Sequence, residues 1–196
     1  ASGTQGDFVN SPALIGASET GSTLDYGLGM ENGQLFLNAN TTAGFDVESP
    51  ATYNDNNPHF VSATRVQSSG AINLYIDSES VASGTGSTSA LTGSTSFGIG
   101  NHSDGDADAQ FAGDIAESIV FSSVLTANER TRVETYLAVK YGLTRTVASL
   151  PAAEQDYLAA DGGIIWDYDG QSTTYYNDIF GIGRDDLSCF EQTQSK

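Results

Sequence analysis

A strand that runs directly into a helix constrains the fold of this 196-residue chain more than any other sequence feature. Residues 111–121 largely alternate, with Phe111, Ile115, Ile119 and Phe121 on one apolar face. Asp114, Glu117 and Ser118 interrupt the strict pattern. An alternating β-strand requires one buried face. We therefore predict a strand over residues 111–121 whose apolar face points into a core.

The helix that follows has sequence signals at both ends. Thr126 precedes Glu129 by three residues, which is the spacing of a capping box, and Gly142 is a typical C-terminal glycine. Between these ends, one stripe of the helix carries Val133, Leu137 and Tyr141. We predict one short α-helix near residues 126–142, whose hydrophobic flank seals two layered β-sheets.

Composition favours an all-β fold around this helix. Hydrophobic residues make up 38% of the chain, and much of the remainder is Gly, Ser, Thr, Asn and Asp. Good helix formers are sparse outside residues 126–143, whereas turn residues separate many short apolar runs. A chain of this length suits one ordinary domain, or one domain with part of another.

The charge balance excludes several classes of partner. The chain has 25 acidic residues against 7 Lys and Arg, which gives a net charge of −18. Nucleic acid is not expected as a partner, because phosphate binding needs clustered cations, and anionic lipid is disfavoured for the same reason. No apolar run is long enough to insert into a membrane. Two explanations of the acidity remain open: solubility in extracellular surroundings, and binding of divalent cations.

Residues 101–110 form the best candidate metal site. A calcium ion takes six to eight oxygen ligands, and a loop can supply both carboxylates and carbonyls. The candidate ligands in this loop are Asn101, Asp104, Asp106 and Asp108. The loop is not an EF-hand, because Ala109 and Ile115 occupy the positions of the required Gly and Glu. The alternative is a solvated hairpin loop whose acids promote solubility.

Other polar segments give weaker signals. We interpret residues 54–57 as a turn built from side-chain-to-backbone hydrogen bonds. Asp114 and Glu117 are three residues apart in the predicted strand, so they lie on opposite faces and cannot simply pair as glycosidase carboxylates. The chain has no nucleophile-elbow motif, and the single cysteine, Cys189, permits no internal disulfide. We expect no catalytic residues.

The order of segments within residues 59–144 resembles the laminin-G-like, concanavalin-A-like jelly-roll superfamily. The segments that carry this resemblance are HFVSATRV (59–66), GAINLYIDSESV (70–81), SFGIGN (96–101), FAGDIAE (111–117) and SSVLTANER (122–130). The resemblance implies an all-β, antiparallel jelly-roll β-sandwich over residues 1–144, here without some of the N-terminal strands of a complete domain. It also implies that Ca²⁺ can lie at the loop edge of the sheet.

The remainder of the chain is similar to segments that follow such domains in large secreted surface proteins of bacteria. The matching segments are ETYLAVKYGLT (134–144), DYLAADGGIIWD (156–167) and NDIFGIGRDDLS (177–188). We expect residues 145–196 to form a linker and a β-rich tail, which is part of a second unit or packs on the first. The resemblance implies a secreted or cell-surface location in a bacterium.

These observations together lead us to expect a non-catalytic binding or adhesion module that recognises carbohydrate or a surface glycoprotein. One alternative is a structural subunit or spacer of an extracellular filament or surface layer, which contacts neighbouring copies of itself through β-strand edges. A second alternative is a polysaccharide-active enzyme.

Overall fold

Short alternating segments separated by turn residues give this chain many brief strands. The computed structural model describes residues 8, 11–17, 25–39, 46–91, 97–101, 110–168 and 183–192. The strands before the long helix are β1 (Ala13–Ala17), β2 (Tyr26–Glu31), β3 (Gln34–Ala39), β4 (Val47–Thr52), β5 (Val61–Arg65), β6 (Ala71–Ile76), β7 (Glu79–Thr85) and β8 (Gly98–Ile99). The later elements are α1 (Ala127–Tyr141), α2 (Ala152–Gln155), β9 (Tyr157–Leu158), β10 (Ile164–Trp166), β11 (Gly183–Asp185) and β12 (Phe190–Gln192).

The largest sheet contains five strands in the order β4-β3-β2-β1-β8, and all four neighbouring pairs are antiparallel. Strands β2 and β3 are joined by Asn32 and Gly33, which have φ angles of 50° and 85°. Two consecutive left-handed residues form the hairpin turn that the dipeptide Asn-Gly favours. The tight turn fixes the register of β2 and β3 from Glu31↔Gln34 to Tyr26↔Ala39.

One face of this sheet is built from glycine backbone covered by aromatic rings. Gly16 pairs with Gly27, and a Cβ atom on Gly27 would lie 2.5 Å from the carbonyl oxygen of Ile15 and 2.7 Å from the Phe8 ring. The ring of Phe8 meets that of Phe36 edge to face, with 6.0 Å between centroids, and both rings are buried. The glycines are therefore required by close packing, because any side chain would displace backbone or ring.

The chain divides into two units. The first comprises Ala1–Asn57, Ala63–Leu74 and Ser80–Val124, and the second comprises Pro58–Ser62, Tyr75–Glu79 and Leu125–Lys196. A further sheet contains three strands in the order β5-β6-β7. In the second unit, Phe60, Ala138 and Tyr157 form a buried apolar cluster, against which Leu137, Val139, Leu143 and Trp166 pack.

Helix α1 has the predicted ends. Thr126 and Glu129 form a complete capping box, and Gly142 adopts the left-handed conformation with its N–H directed to the Ala138 carbonyl. The predicted buried stripe is wrong, because the fully buried face of α1 is mostly polar: Arg130, Thr131, Glu134, Thr135 and Ala138. Apolar periodicity could not reveal this face, since it is buried against polar and charged partners.

The predicted strand over residues 111–121 is also wrong. Residues 111–125 are described and contain no strand. Ile119 and Phe121 are 42% and 49% exposed, so the apolar face that the alternation predicts is not buried in a core. Alternation shows only which residues would share a face, and it does not supply a neighbouring strand to pair with.

The described residues nevertheless form a mostly β chain of antiparallel sheets with one long helix, as predicted. The sequence did not predict the four-residue helix α2. The segment that we interpret as the start of a linker contains two buried side chains, Arg145 and Val147, so this part of it is packed. Within the described part of the chain, none of the helices has the length and apolarity needed to span a bilayer.

Candidate functional site

One end of the five-stranded sheet gathers several polar loops of the first unit. We define the loop rim as the turn Asn32–Gly33, the loop 53–57 after β4, and the residues where the acidic loop leaves and rejoins the sheet, 100–101 and 110–111. These segments lie at the same end of the sheet because β4, β2 and β8 all run towards this end, and β3 and β1 begin there. Five neighbouring strands make the rim about 19 Å wide from β4 to β8.

The turn and the loop after β4 are fastened to each other. The backbone N–H of Tyr53 donates to the carbonyl oxygen of Gly33 at 2.7 Å. The Asn54 side-chain amide lies so close to the Gly33 Cα that a side chain at residue 33 would collide with it. Gly33 therefore serves two purposes, a positive φ and room for Asn54, and the two loops form one surface.

The loop after β4 is ordered by its own side chains. The Asp55 carboxylate accepts from the Asn57 backbone N–H at 2.9 Å and from the Asn57 side-chain amide at 2.7 Å, and Asn56 has a φ of 64°. The interpretation of residues 54–57 as a turn built from side-chain hydrogen bonds is confirmed. Residues 54–57 are all exposed, so the turn presents amide groups to solvent in a fixed arrangement.

The base of the acidic loop lies at the other side of the rim. Gly100 donates its N–H to the Leu14 carbonyl, and Phe111 donates to the Gly100 carbonyl, each at 2.9 Å. Of the predicted calcium ligands, Asn101 is half-buried at this base, whereas Asp104, Asp106 and Asp108 lie outside the described residues. In the parts of the chain that are described, no three His, Cys, Asp or Glu side chains are grouped as metal ligands.

Two glutamates next to the rim were missed by the sequence analysis. Glu31 is buried and lies on the same sheet face as exposed Glu48, since Glu31 pairs with Gln34 and Glu48 pairs with Phe36. Partial burial raises the pKa of Glu48, and the nearby negative charge of Glu31 raises this pKa further. Alternation within β2 and β4 shows which side chains share a face of each strand. The two carboxyls could be placed on one sheet face only with the register of both strands against β3, which the sequence does not give.

The second unit contains a different polar cluster, centred on Glu134. Glu134, Arg145 and Ser78 are completely or almost completely buried, and hydrogen bonds to one another and to nearby groups engage all three. Burial lowers the pKa of Arg145, while the Glu134 charge opposes that shift. Because its groups are satisfied by protein partners, this cluster holds structure together and is not a candidate ligand site.

Comparison with known families divides the chain near the start of α1. The concanavalin A-like lectin/glucanases superfamily matches residues 4–129, and a domain of unknown function (DUF8202) matches residues 129–196. No curated protein and no solved structure matches the chain. The superfamily match covers more than half of the sequence and has the expected jelly-roll β-sandwich, which confirms the resemblance. The chain therefore belongs to the concanavalin A-like lectin/glucanase superfamily.

Proposed function

We propose that this chain is a non-catalytic carbohydrate-binding module, and that the loop rim is its binding surface. The superfamily supports a carbohydrate-binding type of module in general. The observation that carries the proposal is that the oxygen-rich turn 53–57 and the base of the acidic loop, residues 100–101 and 110–111, lie at the same end of one sheet. A surface about 19 Å wide suits an oligosaccharide better than a single sugar.

The chemistry of the rim fits sugar hydroxyls. A hydroxyl both donates and accepts, and side-chain amides supply both functions, so exposed Asn54 and Asn57 can pair with neighbouring hydroxyls. The Asp55–Asn57 hydrogen bonds hold the loop before a ligand arrives. Little conformational entropy is then lost on binding.

Calcium is part of the proposal. Asp104, Asp106 and Asp108, with Asn101 at the base of the loop, would supply the oxygen ligands. We expect millimolar Ca²⁺ to raise the melting temperature relative to chelated protein. The variant Asp104→Asn/Asp106→Asn should lose this rise, while the nearby control Asp114→Asn keeps it. An unchanged melting temperature in wild-type protein would remove calcium from the proposal.

A glycan array tests the binding function directly. We expect wild-type protein to bind a defined set of oligosaccharides, and Asn54→Ala/Asn57→Ala to lose at least tenfold in affinity. The matched control is Gln67→Ala, which removes another exposed amide in the turn after β5, away from residues 53–57. If wild-type protein binds no glycan, or if both variants weaken binding equally, the rim is not the binding surface.

The module would act outside the cell, on the surface of a bacterium, as part of an adhesive protein. The net charge of −18 keeps such a module soluble and disfavours contact with anionic lipid. Localisation is tested by surface labelling of intact cells with an antibody to this chain. Labelling only after lysis would contradict it.

A second candidate function, a structural subunit of a filament or surface layer, is favoured by one observation. Ile119, Val120 and Phe121 are consecutive and exposed. Self-association through this segment would bury them. Light scattering distinguishes the two functions, because a spacer forms oligomers that Val120→Lys disperses, whereas a binding module remains monomeric.

A third candidate, a polysaccharide-active enzyme, is favoured only by the Glu31 and Glu48 carboxyls on one sheet face. Glycoside hydrolysis uses a pair of carboxyl groups, one of them with a raised pKa. Turnover of any polysaccharide that Glu48→Gln abolishes would replace the non-catalytic proposal. Binding without turnover would support the module.

A further inference from the structure

The turn between β6 and β7 has a backbone that its residues do not favour. Asp77 and Ser78 have φ angles of 52° and 77°, both in the left-handed region. Turns of this shape prefer Asn-Gly, because a side chain at the second residue is crowded there. A serine in this conformation persists only where its surroundings hold it.

The Ser78 hydroxyl is held by two charged groups from distant parts of the sequence. It donates to Glu134 Oε2 at 2.8 Å and accepts from Arg145 Nε at 2.8 Å, and all three side chains are at most 1% exposed. The preceding residue is held as well, because the Asp77 carbonyl accepts from the Thr146 N–H. The turn is thus the meeting point of α1 and the segment that follows it.

The side chain of Asp77 fastens the turn to the start of β5. Its Oδ1 accepts from the Phe60 N–H at 3.1 Å, and its Oδ2 lies 2.7 Å from His59 Nδ1. Phe60 in turn belongs to the buried apolar cluster with Ala138 and Tyr157. Residues 59–60 and 77–78 therefore contact the helical segment as one surface.

The charges of the cluster are matched among themselves. Arg130 donates to Glu134 Oε1 at 2.9 Å and to Glu154 Oε2 at 2.6 Å, and its guanidinium lies 3.9 Å from the centre of the Tyr75 ring. Arg145 also donates to the carbonyl oxygens of Asp156 and Glu154 at 2.7 and 2.9 Å. Buried charges need such pairing. Separation of α1 from the turn would therefore leave Glu134 and Arg145 buried without their hydrogen-bond partners.

We infer that Tyr75–Glu79 and Pro58–Ser62 are the docking surface on which residues 126–158 fold, with Glu134 as the anchoring residue. The segment matched as a separate family from residue 129 is then not an independent folding unit. It uses a turn that lies inside the lectin-like part of the sequence. This inference does not depend on carbohydrate binding.

Hydrogen exchange on the full-length chain tests the inference. In Glu134→Gln, we expect amide exchange to rise at least tenfold, and together, in residues 145–158 and in residues 75–79. The control is Glu129→Gln, which weakens the cap of the same helix. That control should speed exchange only in the first turn of α1. If Glu134→Gln loosens residues 130–158 while residues 75–79 keep their wild-type protection, the inference is overturned.

Substitution of Ser78 provides a second measurement, which compares melting temperatures. Ser78→Ala removes the hydroxyl and keeps the strained φ, whereas Ser78→Gly removes the hydroxyl and relieves the strain, so Ser78→Ala should melt at the lower temperature. The combination of Ser78→Ala with Glu134→Gln should lower the melting temperature by clearly less than the sum of the single effects. Additive effects would show that turn and helix fold independently and would overturn the inference.

Discussion

The interiors of the two units differ in the groups that are buried beside their apolar side chains. In the first unit, rings and aliphatic side chains such as Phe36, Leu35 and Leu74 are buried, and exposed amides lie at the loop rim. In the second unit, Arg145 and Glu134 are among the most deeply buried side chains. The difference teaches that the first unit depends on close packing around its glycines, whereas the second unit depends on paired buried charges as well as on an apolar cluster.

The two kinds of interior fail in different ways. A glycine-and-ring face tolerates changes of charge nearby but no added volume, because its backbone atoms are in contact. In a buried charge cluster, substitution of one charged side chain lowers stability strongly, since the remaining ion is left without water or counter-charge. Substitutions that separate these two failures test the comparison.

The largest effect is expected from Arg145→Met in the second unit. This change keeps the length of the side chain but leaves the buried Glu134 carboxylate without one of its cations and Ser78 without a donor. Removal of one partner from a buried ion pair costs about 3–5 kcal/mol of unfolding free energy. Urea denaturation followed by the fluorescence of Trp166, which packs on the core of this unit, measures the loss.

The matched control is Arg184→Met, which breaks an ion pair with Asp186 that is 70% and 73% exposed. Exposed pairs contribute only about 0–1 kcal/mol, so this variant should unfold like the wild type. If both variants lose the same stability, burial of the charges is not what makes the second unit sensitive.

A smaller effect is expected from Gly27→Ala in the first unit. The added Cβ would lie 2.5 Å from the Ile15 carbonyl oxygen and 2.7 Å from the Gly16 Cα, so β1 and β2 must separate. Overpacking of this kind costs about 1–3 kcal/mol. Gly163→Ala is the control, because its Cβ would meet only the Asp161 side chain, at 3.1 Å or more. Thermal unfolding followed by far-UV circular dichroism measures both, and equal melting temperatures would contradict close packing at Gly27.

Features of this fold that depend on neighbouring residues could be predicted from the sequence. The capping box of Thr126 and Glu129, the C-terminal Gly142 and the Asn32–Gly33 turn are local chemistry, and the structure has each of them. The alternation of apolar and polar residues in β6 is local as well, and every second side chain of this strand is buried. The strand predicted over residues 111–121 failed because a strand needs a partner that no local pattern specifies.

The two sites depended on contacts between residues far apart in the sequence. Ser78 is 56 positions from Glu134 and 67 from Arg145, so no periodicity in α1 could show that its buried face is charged. The rim likewise required the strand order β4-β3-β2-β1-β8, which brings residues 53–57 to the same sheet end as residues 100–101. The sequence predicted both oxygen-rich loops, but the position of residues 53–57 and residues 100–101 at one end of the sheet follows only from the strand order.

The smallest expected effect is that of acid pH, which should raise the stability of one region of the first unit and lower the stability of parts of the second unit. In the first unit, burial raises the pKa of Asp46 above its ordinary 3.8 and that of Glu48 above its ordinary 4.5. Their ionised forms are disfavoured by folding, so stability is higher below the unfolded pKa and falls as pH rises through the folded pKa. Acidification from neutral pH towards pH 4.5 should therefore stabilise the sheet region around β4.

In the second unit, hydrogen bonds lower two carboxyl pKa values. The Thr126 backbone N–H lowers the pKa of Glu129 below its ordinary 4.5, and the Ala160 N–H lowers that of Asp185 below its ordinary 3.8. Folding favours the ionised forms of these carboxyls. Their contribution to stability is therefore complete above the unfolded pKa values and is lost as pH falls through the folded pKa values.

Hydrogen exchange measured from pH 7 to pH 3.5, corrected for intrinsic rates, should show protection in β4 rising first and protection in the first turn of α1 falling later. Asp46→Asn should flatten the first response and Glu129→Gln the second. Loss of protection in both regions over one pH range would mean that the two interiors do not titrate separately, and the contrast between them would not extend to charge.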